Sequence, residues 1–303
     1  MSSNEEQLYF INHDIDDMSL IGIPGGGKTR TIIEKIFTMK QKKQIDKPSD
    51  FLILTFSRKA RKDFLNKGQN KCNKLFKPDN IRTIHSISAL ILKNIFGKSC
   101  NNINTLIAGV SHQLHSNTIE NLDKVSCLKK CKCIFVDEAQ DISNIQYNLI
   151  KQVASILDIK VIMIGDPDQN IYQFQGGSDK YLLEHSDNKV ILDKNYRSTK
   201  NIIRFANNFR PWKDMKPIVA IRETLGKLPY IYCDNIANIK SYILKEIRET
   251  KIKLEDIAII GPVKKAKPDL FGHYKNMGLQ MVAGILDDND IKYIPHYNFS
   301  DND

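Results

Sequence analysis

Eight residues near the start of the chain, Gly22-Ile23-Pro24-Gly25-Gly26-Gly27-Lys28-Thr29, constrain its fold more than any other stretch, because they follow an apolar run and open a helical pattern. A G-x4-G-K-[ST] sequence between a strand and a helix is a phosphate-binding loop. Its glycines let backbone N–H groups close around phosphate oxygens, and the helix N-terminus adds positive potential. Lys28 can then reach the β and γ phosphates of ATP, and Thr29 can offer its hydroxyl to Mg2+. A chance Lys-Thr after a Gly-rich turn would lack the flanking strand and helix. Such a loop calls for a parallel α/β sheet.

The rest of the chain has that layout. Short β-branched or apolar runs alternate with longer helical patterns, predicting strands at 18–23, 51–55, 133–137, 160–165, 190–192, 228–233 and 256–260. Helices are predicted to start at Lys28, after Ser57, after Ser143 and after Ser198, with Ser143 and Gln146 placed as a capping box. The Asn- and Lys-rich stretch 87–132 has weak periodicity and reads as a small insertion, and the region around Pro211-Trp212 and Lys216-Pro217 as irregular chain.

A phosphate site also needs a carboxylate at the end of a neighbouring strand. The run Ile134-Phe135-Val136-Asp137-Glu138 supplies one. It brings Asp137 toward the metal shell and Glu138 near the γ phosphate, where it can act as general base. An acidic pair in isolation would be solvated surface; the apolar strand before it and the phosphate loop upstream argue otherwise.

Composition narrows the partner. Lys and Arg number 45 against 35 Asp and Glu, a formal charge of +10, which favours an acidic polymer without separating nucleic acid from an anionic membrane surface. No run of about 18 apolar residues is present, and MSSNEEQLYF lacks the basic and apolar regions of a signal peptide, so a soluble intracellular protein is expected. Six cysteines, unevenly placed, suggest reduced thiols. Cys100, Cys127, Cys131 and Cys133 could supply four thiolates to zinc, although C-x3-C-x-C is not a standard knuckle. The plainer reading puts Cys133 in a buried strand.

Taken together, the motifs are more specific than a generic phosphate-loop enzyme. Val136-Asp137-Glu138-Ala139-Gln140-Asp141 resembles the Walker B signature of the UvrD/Rep-type superfamily 1 helicases, and Lys28-Thr29-Arg30 resembles their motif I. Gln7 sits where that family carries its adenine-reading Gln. Thr55-Phe56-Ser57-Arg58-Lys59-Ala60 resembles motif Ia, and Thr83-Ile84-His85-Ser86 motif Ib. The run from Gly165 to Tyr172 is similar to motif III, and Asn195-Tyr196-Arg197-Ser198 to motif IV.

The resemblance implies an α/β fold, a RecA-like ATP-binding domain at 1–193 and a partial second RecA-like domain at 194–303. It implies that Tyr196 stacks on adenine with Arg30 nearby while Gln7 bonds its edge. Arg197 would act as an arginine finger in cis on the γ phosphate, Gln169 would sense that phosphate, and Gln140 would support the same coupling. Phe56, His85, Tyr172 and Phe174 would offer rings to single-stranded DNA beside Ser57 and Arg58. Taken singly, Phe56 and Phe174 would be core residues. The basic run Arg58, Lys59, Arg61, Lys62, Lys67, Lys71, Lys74 and Lys77 reads equally as a phosphate track or a solvated helix face.

Departures accompany the matches. Motif III ends Gln173-Phe174-Gln175 where the family carries Trp and then Arg, and motif Ib has Ile84 in place of Phe. Nothing after Arg197 resembles motifs V and VI. The expectation is therefore a truncated or split helicase, whose second polypeptide supplies those motifs. Two functions follow: an ATP-driven 3′ to 5′ motor on single-stranded DNA, or an ATP- and DNA-binding module that hydrolyses poorly alone. A small-molecule kinase would leave motifs Ia, III and IV unexplained.

Overall fold

The computed structural model describes residues 3–96, 107, 109, 122, 125–171, 173, 176–210, 216–229, 236–249, 253–258, 260, 286 and 291. The chain divides into two compact units, Met1–Pro229 and Tyr230–Asp303.

The first unit is built on a six-stranded sheet. Its strands are β1 (Met18–Gly22), β2 (Phe51–Thr55), β3 (Ile81–Thr83), β4 (Cys133–Val136), β5 (Lys160–Gly165) and β6 (Lys189–Leu192), in the order β3-β2-β4-β5-β1-β6. All pairings are parallel, with Leu20 beside both Ile164 and Val190, and Phe135 beside both Ile53 and Ile162. Parallel strands need crossovers. They are supplied by α2 (Lys28–Gln41), α3 (Arg58–Cys72), α4 (Ile84–Phe96), α5 (Asn144–Leu157) and the short α6 (Lys180–Leu183).

Helices cover both faces, which is why the strands read as nearly continuous apolar runs. On one face Leu20, Ile53, Phe135 and Ile164 pack with Ile32 and Ile36 of α2 and Phe64 of α3. On the other, Leu54, Ile134, Val136 and Met163 pack with Ile87 and Ile91 of α4 and Leu149 and Val153 of α5. Residues 87–96 therefore continue a core helix rather than open a separate insertion; Ile107, Leu122, Val125 and Leu128 join the same core.

Local signals hold at the helix starts. Ser143 Oγ accepts from Gln146 N at 3.4 Å while Gln146 Oε1 accepts from Ser143 N at 2.9 Å, the expected capping box. Ser57 caps α3 by accepting from Ala60 N at 3.1 Å. A helix that sequence reading missed, α1 (Glu5–Asn12), starts with the same device, made by Asn4 and Gln7. The helix predicted after Ser198 is α7 (Lys200–Asn207), and it lies with a two-stranded parallel pair, β7 (Lys194–Asn195) and β8 (Val219–Ala220). This segment belongs to the first compact unit.

Among described residues the second unit holds α8 (Ile236–Glu249) and a 3-10 turn, Leu254–Asp256. The strand expected at 256–260 is corrected: Asp256 closes that turn, and residues 257, 258 and 260 lie in no regular element. Most of the strand expected at 228–233 lies outside the described residues, as do Trp212 and Cys100.

The remaining cysteines of the zinc reading are buried. Burial pushes the Cys133 thiol up to about 12 and raises Cys127 and Cys131, the behaviour of thiols packed in an apolar core. No group of three metal-ligating side chains is found among the described residues. No helix among them is long and apolar enough to cross a membrane.

A lysine lies in the core. Lys35 of α2 is fully buried and donates to the carbonyls of Phe10 at 2.9 Å and His13 at 2.8 Å, tying the end of α1 to α2. Burial draws it down from 10.5 to about 8; Lys42 adds to the fall, while Cys133 and Asp14 oppose it. Below that value Lys35 is charged in both folded and unfolded chain, so the cost of burying the charge is carried in full. At higher pH the unfolded chain holds a proton the folded chain has released, and stability rises. In urea unfolding, wild type should gain roughly 3 kcal/mol over Lys35→Met between about pH 7.5 and 10.5. Parallel pH curves would contradict this.

Candidate functional site

Every motif of the first unit emerges at the carboxyl edge of the sheet, where parallel α/β sheets bind ligands. The loop between β1 and α2 begins at Gly22. Gly25 and Gly27 have φ of 69° and 85°, left-handed conformations that favour glycine. Gly26 N donates to Ile23 O at 3.1 Å, closing the turn, and Lys28 Nζ lies 3.4 Å from Gly22 O. Thr29 follows Lys28 in the first turn of α2, and Arg30 is exposed beside it.

Two outside elements fix this loop. From α1, Gln7 is buried and its Nε2 donates to Gly26 O at 3.1 Å. From β7, Asn195 Nδ2 donates to Pro24 O at 2.6 Å, and Tyr196 N donates to Gly25 O at 3.1 Å. Asn195 Oδ1 also accepts from Arg197 N at 2.9 Å and Ser198 N at 2.7 Å. A Cβ on Gly25 would stand 2.8 Å from Asn195 Nδ2 and 2.9 Å from Arg197 Cβ, so the glycine permits motif IV to lie against the loop. Asn195 was part of the quoted motif but was given no role; one side chain bonded to both segments is what sequence cannot display.

β4 ends in the acidic pair, with β5 between it and β1, so the pair and the loop leave the sheet two strands apart. Asp137 is buried, and its N–H donates to Leu54 O at 2.8 Å. Burial, and then the Glu138 carboxylate, raise Asp137 to about 7, while Lys28 opposes the rise. A buried carboxylate with that burden, next to Glu138 and facing Lys28, suits a hard divalent cation held by oxygen donors. Glu138 has φ 55°, ψ 45°, a left-handed conformation unusual away from glycine and concentrated at functional sites.

The acidic pair is joined to the end of β5 through Gln140. Its Nε2 donates to Glu138 Oε2 at 3.0 Å and Asp141 Oδ2 at 3.2 Å, and its Oε1 accepts from Asp166 N at 3.0 Å. Gly165 makes room, since a Cβ there would stand 2.4 Å from Gln140 Oε1. Burial raises Asp166, with Lys28 and the Gln169 hydrogen bond opposing. Gln169 Nε2 donates to Asp166 Oδ2, so it belongs to the same network. Asp141, another residue without an assigned role, is pushed to about 6 by burial and Glu138.

The residues expected to meet DNA leave the neighbouring strands β2 and β3, where Thr55 aligns with Thr83. Phe56 and His85 are half-buried, and Ser57 and Arg58 exposed. Burial lowers the His85 pKa. Tyr172 and Phe174 lie outside the described residues. Part of the basic run has structural work: Arg61 donates to Ile81 O at 2.5 Å and Pro78 O at 2.9 Å, and Lys71 pairs with Glu34 at 2.8 Å. Arg58, Lys59, Lys62 and Lys67 remain on the exposed side of α3.

The AAA domain family (AAA_19) matches residues 11–175, just over half of the chain. A protein of Acanthamoeba polyphaga mimivirus named as an ATP-dependent DNA helicase is 32% identical over 311 residues, 99% of this chain and 43% of that protein. A DNA helicase II homolog of Mycoplasma capricolum is 24% identical over 81% of this chain and 46% of its own length. The ATP-dependent DNA helicase PcrA of Bacillus subtilis is 32% identical over 44% of this chain and 19% of its own length. The chain thus spans less than half the length of each of these relatives. The crystal structure of Pif1 helicase from Candida albicans is a distant likeness, with TM-score 0.46 and 13% identity over 69% of this chain and 44% of that one.

Proposed function

The chain belongs to the UvrD/Rep-type superfamily 1 helicases, and from that membership we propose that it carries the ATP-hydrolysing part of a motor that moves on single-stranded DNA. The observation that carries this reading is a pair of connections at one sheet edge. Asn195 joins motif IV to the phosphate loop, and Gln140 joins Glu138 to motif III.

In this reading the loop amides and Lys28 hold the β and γ phosphates, and Tyr196, Arg30 and Gln7 take the adenine. Thr29 and Asp137 would hold Mg2+, which supplies charge neutralisation on the phosphate oxygens. Glu138 takes the proton of the attacking water, and Arg197 meets the charge that develops on the γ phosphate. Gln169 and Gln140 report the state of that phosphate to the strand-binding edge formed by Phe56, Ser57, Arg58 and His85, with Tyr172 and Phe174. The exposed positive face of α3 favours a phosphate backbone as partner. The direction, 3′ to 5′, and an intracellular place of action where DNA is replicated or repaired come from the family alone.

Steady-state ATP hydrolysis with and without single-stranded DNA tests the reading. DNA should stimulate turnover at least about tenfold, and Lys28→Ala should reduce it to background. Release of a block from one end or the other of a DNA strand reads the direction. If the 303-residue chain is inactive, adding a polypeptide that carries motifs V and VI should restore turnover. Lys28-independent turnover, or none under either condition, would reject the motor.

A further inference from the structure

One ion pair, between motif III and the chain beyond motif IV, differs from the rest. Most ion pairs among the described residues have at least one well-exposed partner, whereas Arg210 Nε meets Asp168 Oδ2 at 2.5 Å with side-chain exposures of only 9% and 10%. Asp168 lies in the 3-10 turn Pro167–Gln169 of motif III, beside the proposed phosphate sensor. Arg210 comes from the chain just beyond α7, which carries the continuation of motif IV. Its Nη1 donates to Lys216 O at 2.6 Å. The same segment is closed by a reciprocal pair, Asn207 Nδ2 to Ile218 O at 3.1 Å and Ile218 N to Asn207 Oδ1 at 3.0 Å.

We propose that Arg210 is a positioning residue, a latch that fixes the motif III turn, and through it Gln169, to the segment carrying motif IV. The inference rests on the proposed function for its catalytic consequence, though not for the latch itself. The turn is held from two sides. On the sheet side Gln140 Oε1 accepts from Asp166 N, and Asp166 Oδ1 accepts from Asp168 N at 3.1 Å. On the other, Asp168 Oδ2 accepts from Arg210. A continuous path therefore runs from Glu138 through Gln140, Asp166 and Asp168 to Arg210 and Lys216. Any shift of Arg210 relative to the sheet pulls on the residue next to Gln169. A buried, hydrogen-bonded charge pair is suited to this because pulling the partners apart leaves each charge poorly solvated and unpaired, which penalises even a small displacement of the turn.

The pair must be separated from a mere structural contribution. Arg210→Met and Asp168→Asn each strand a buried group and should lower the melting temperature. The double variant Arg210→Met/Asp168→Asn removes both charges and should regain most of that loss. If the pair only stabilised the fold, the double variant would behave as wild type. The latch instead requires that hydrogen exchange of the amides of Asp166 and residues 168–171 stay at least about tenfold faster in the double variant, with the phosphate loop unchanged. It also requires that DNA-stimulated kcat stay at least about tenfold lower while KM for ATP moves less than about threefold. Arg210→Lys, which keeps the charge, should recover part of both. Wild-type exchange at those amides in the double variant overturns the latch whether or not the chain turns over ATP. Faster exchange with unchanged kcat overturns its positioning role. Wild-type protein that hydrolyses nothing counts against the function proposed above, leaving the exchange comparison to decide the latch.

Discussion

Glu138→Gln is expected to bind ATP as wild type does while turning it over at least about 100-fold more slowly, the scale of a positioned general base. The substitution removes the basic carboxylate that would accept the proton and keeps the side chain's shape. Glu138 Oε2 now accepts from Gln140 Nε2 at 3.0 Å, and a Gln at 138 can present its carbonyl oxygen to the same donor. The left-handed backbone at φ 55° costs about as much for Gln as for Glu, so the loop should stay in place. The charge lost also relieves Asp137, whose pKa is raised by Glu138 after burial itself. With that repulsion gone, Asp137 should ionise more readily, and Mg2+–ATP affinity should hold or rise. Fluorescent-nucleotide titration and single-turnover hydrolysis of wild type and variant, side by side, measure the two quantities separately. Turnover within about threefold of wild type would remove Glu138 from the role of base.

What could be seen in the sequence was whatever a short window contains. β1, β2, β4 and β5 are buried on both faces and so appear as nearly continuous apolar runs, Leu-Ile-Leu and Ile-Phe-Val among them. The Ser143–Gln146 and Ser57 caps were legible because the chemistry spans three residues. The three-residue strand β3 was not, because its pairing with β2 comes from the parallel partner and from α4, not from its own pattern. The α1 helix went unseen although Asn4 and Gln7 follow the same capping rule, because only Phe10 and Ile11 are apolar and buried within it. Its buried anchor, Lys35, reads in sequence as an ordinary charged helix position.

The site divides along the same line. Lys28, Asp137, Glu138 and Arg197 were named from motifs, and the fold brings their segments to one sheet edge. What joins those segments was invisible, since each connection crosses a long stretch of chain. Asn195 reaches Pro24 across 171 positions, Gln140 is reached by Asp166 N across 26, and Arg210 meets Asp168 across 42. Periodicity records which face of an element is buried; it carries no trace of which polar group will be opposite. The basic run on α3 shows the converse, because a single pattern conceals two fates: Arg61 and Lys71 are spent on the fold, while Arg58, Lys59, Lys62 and Lys67 stay available to a phosphate backbone.

Arg197→Ala should reduce DNA-stimulated kcat about 1000-fold, the lower end of what an arginine finger contributes, with KM for ATP within about threefold of wild type. The backbone around Arg197 is over-determined. Its N–H is held by Asn195 Oδ1 at 2.9 Å, its carbonyl accepts from Arg222 Nη1 at 2.8 Å, and its Cβ lies beside Gly25 of the phosphate loop. None of these contacts uses the guanidinium, so truncation at Cβ should leave the loop, and ATP binding, intact. Tyr196→Ala is the contrasting case. It removes a ring proposed to stack on adenine in ground and transition state alike, so KM should rise with kcat little changed. Arg197→Lys should restore little, because a point ammonium cannot present the planar fork of donors that a trigonal phosphoryl group meets as its charge spreads. A kcat for Arg197→Ala within threefold of wild type would transfer the finger to another residue. A rise in KM alone would make Arg197 a ground-state phosphate contact, and the coupling from motif IV to the γ phosphate would then run only through Asn195 and the loop it holds.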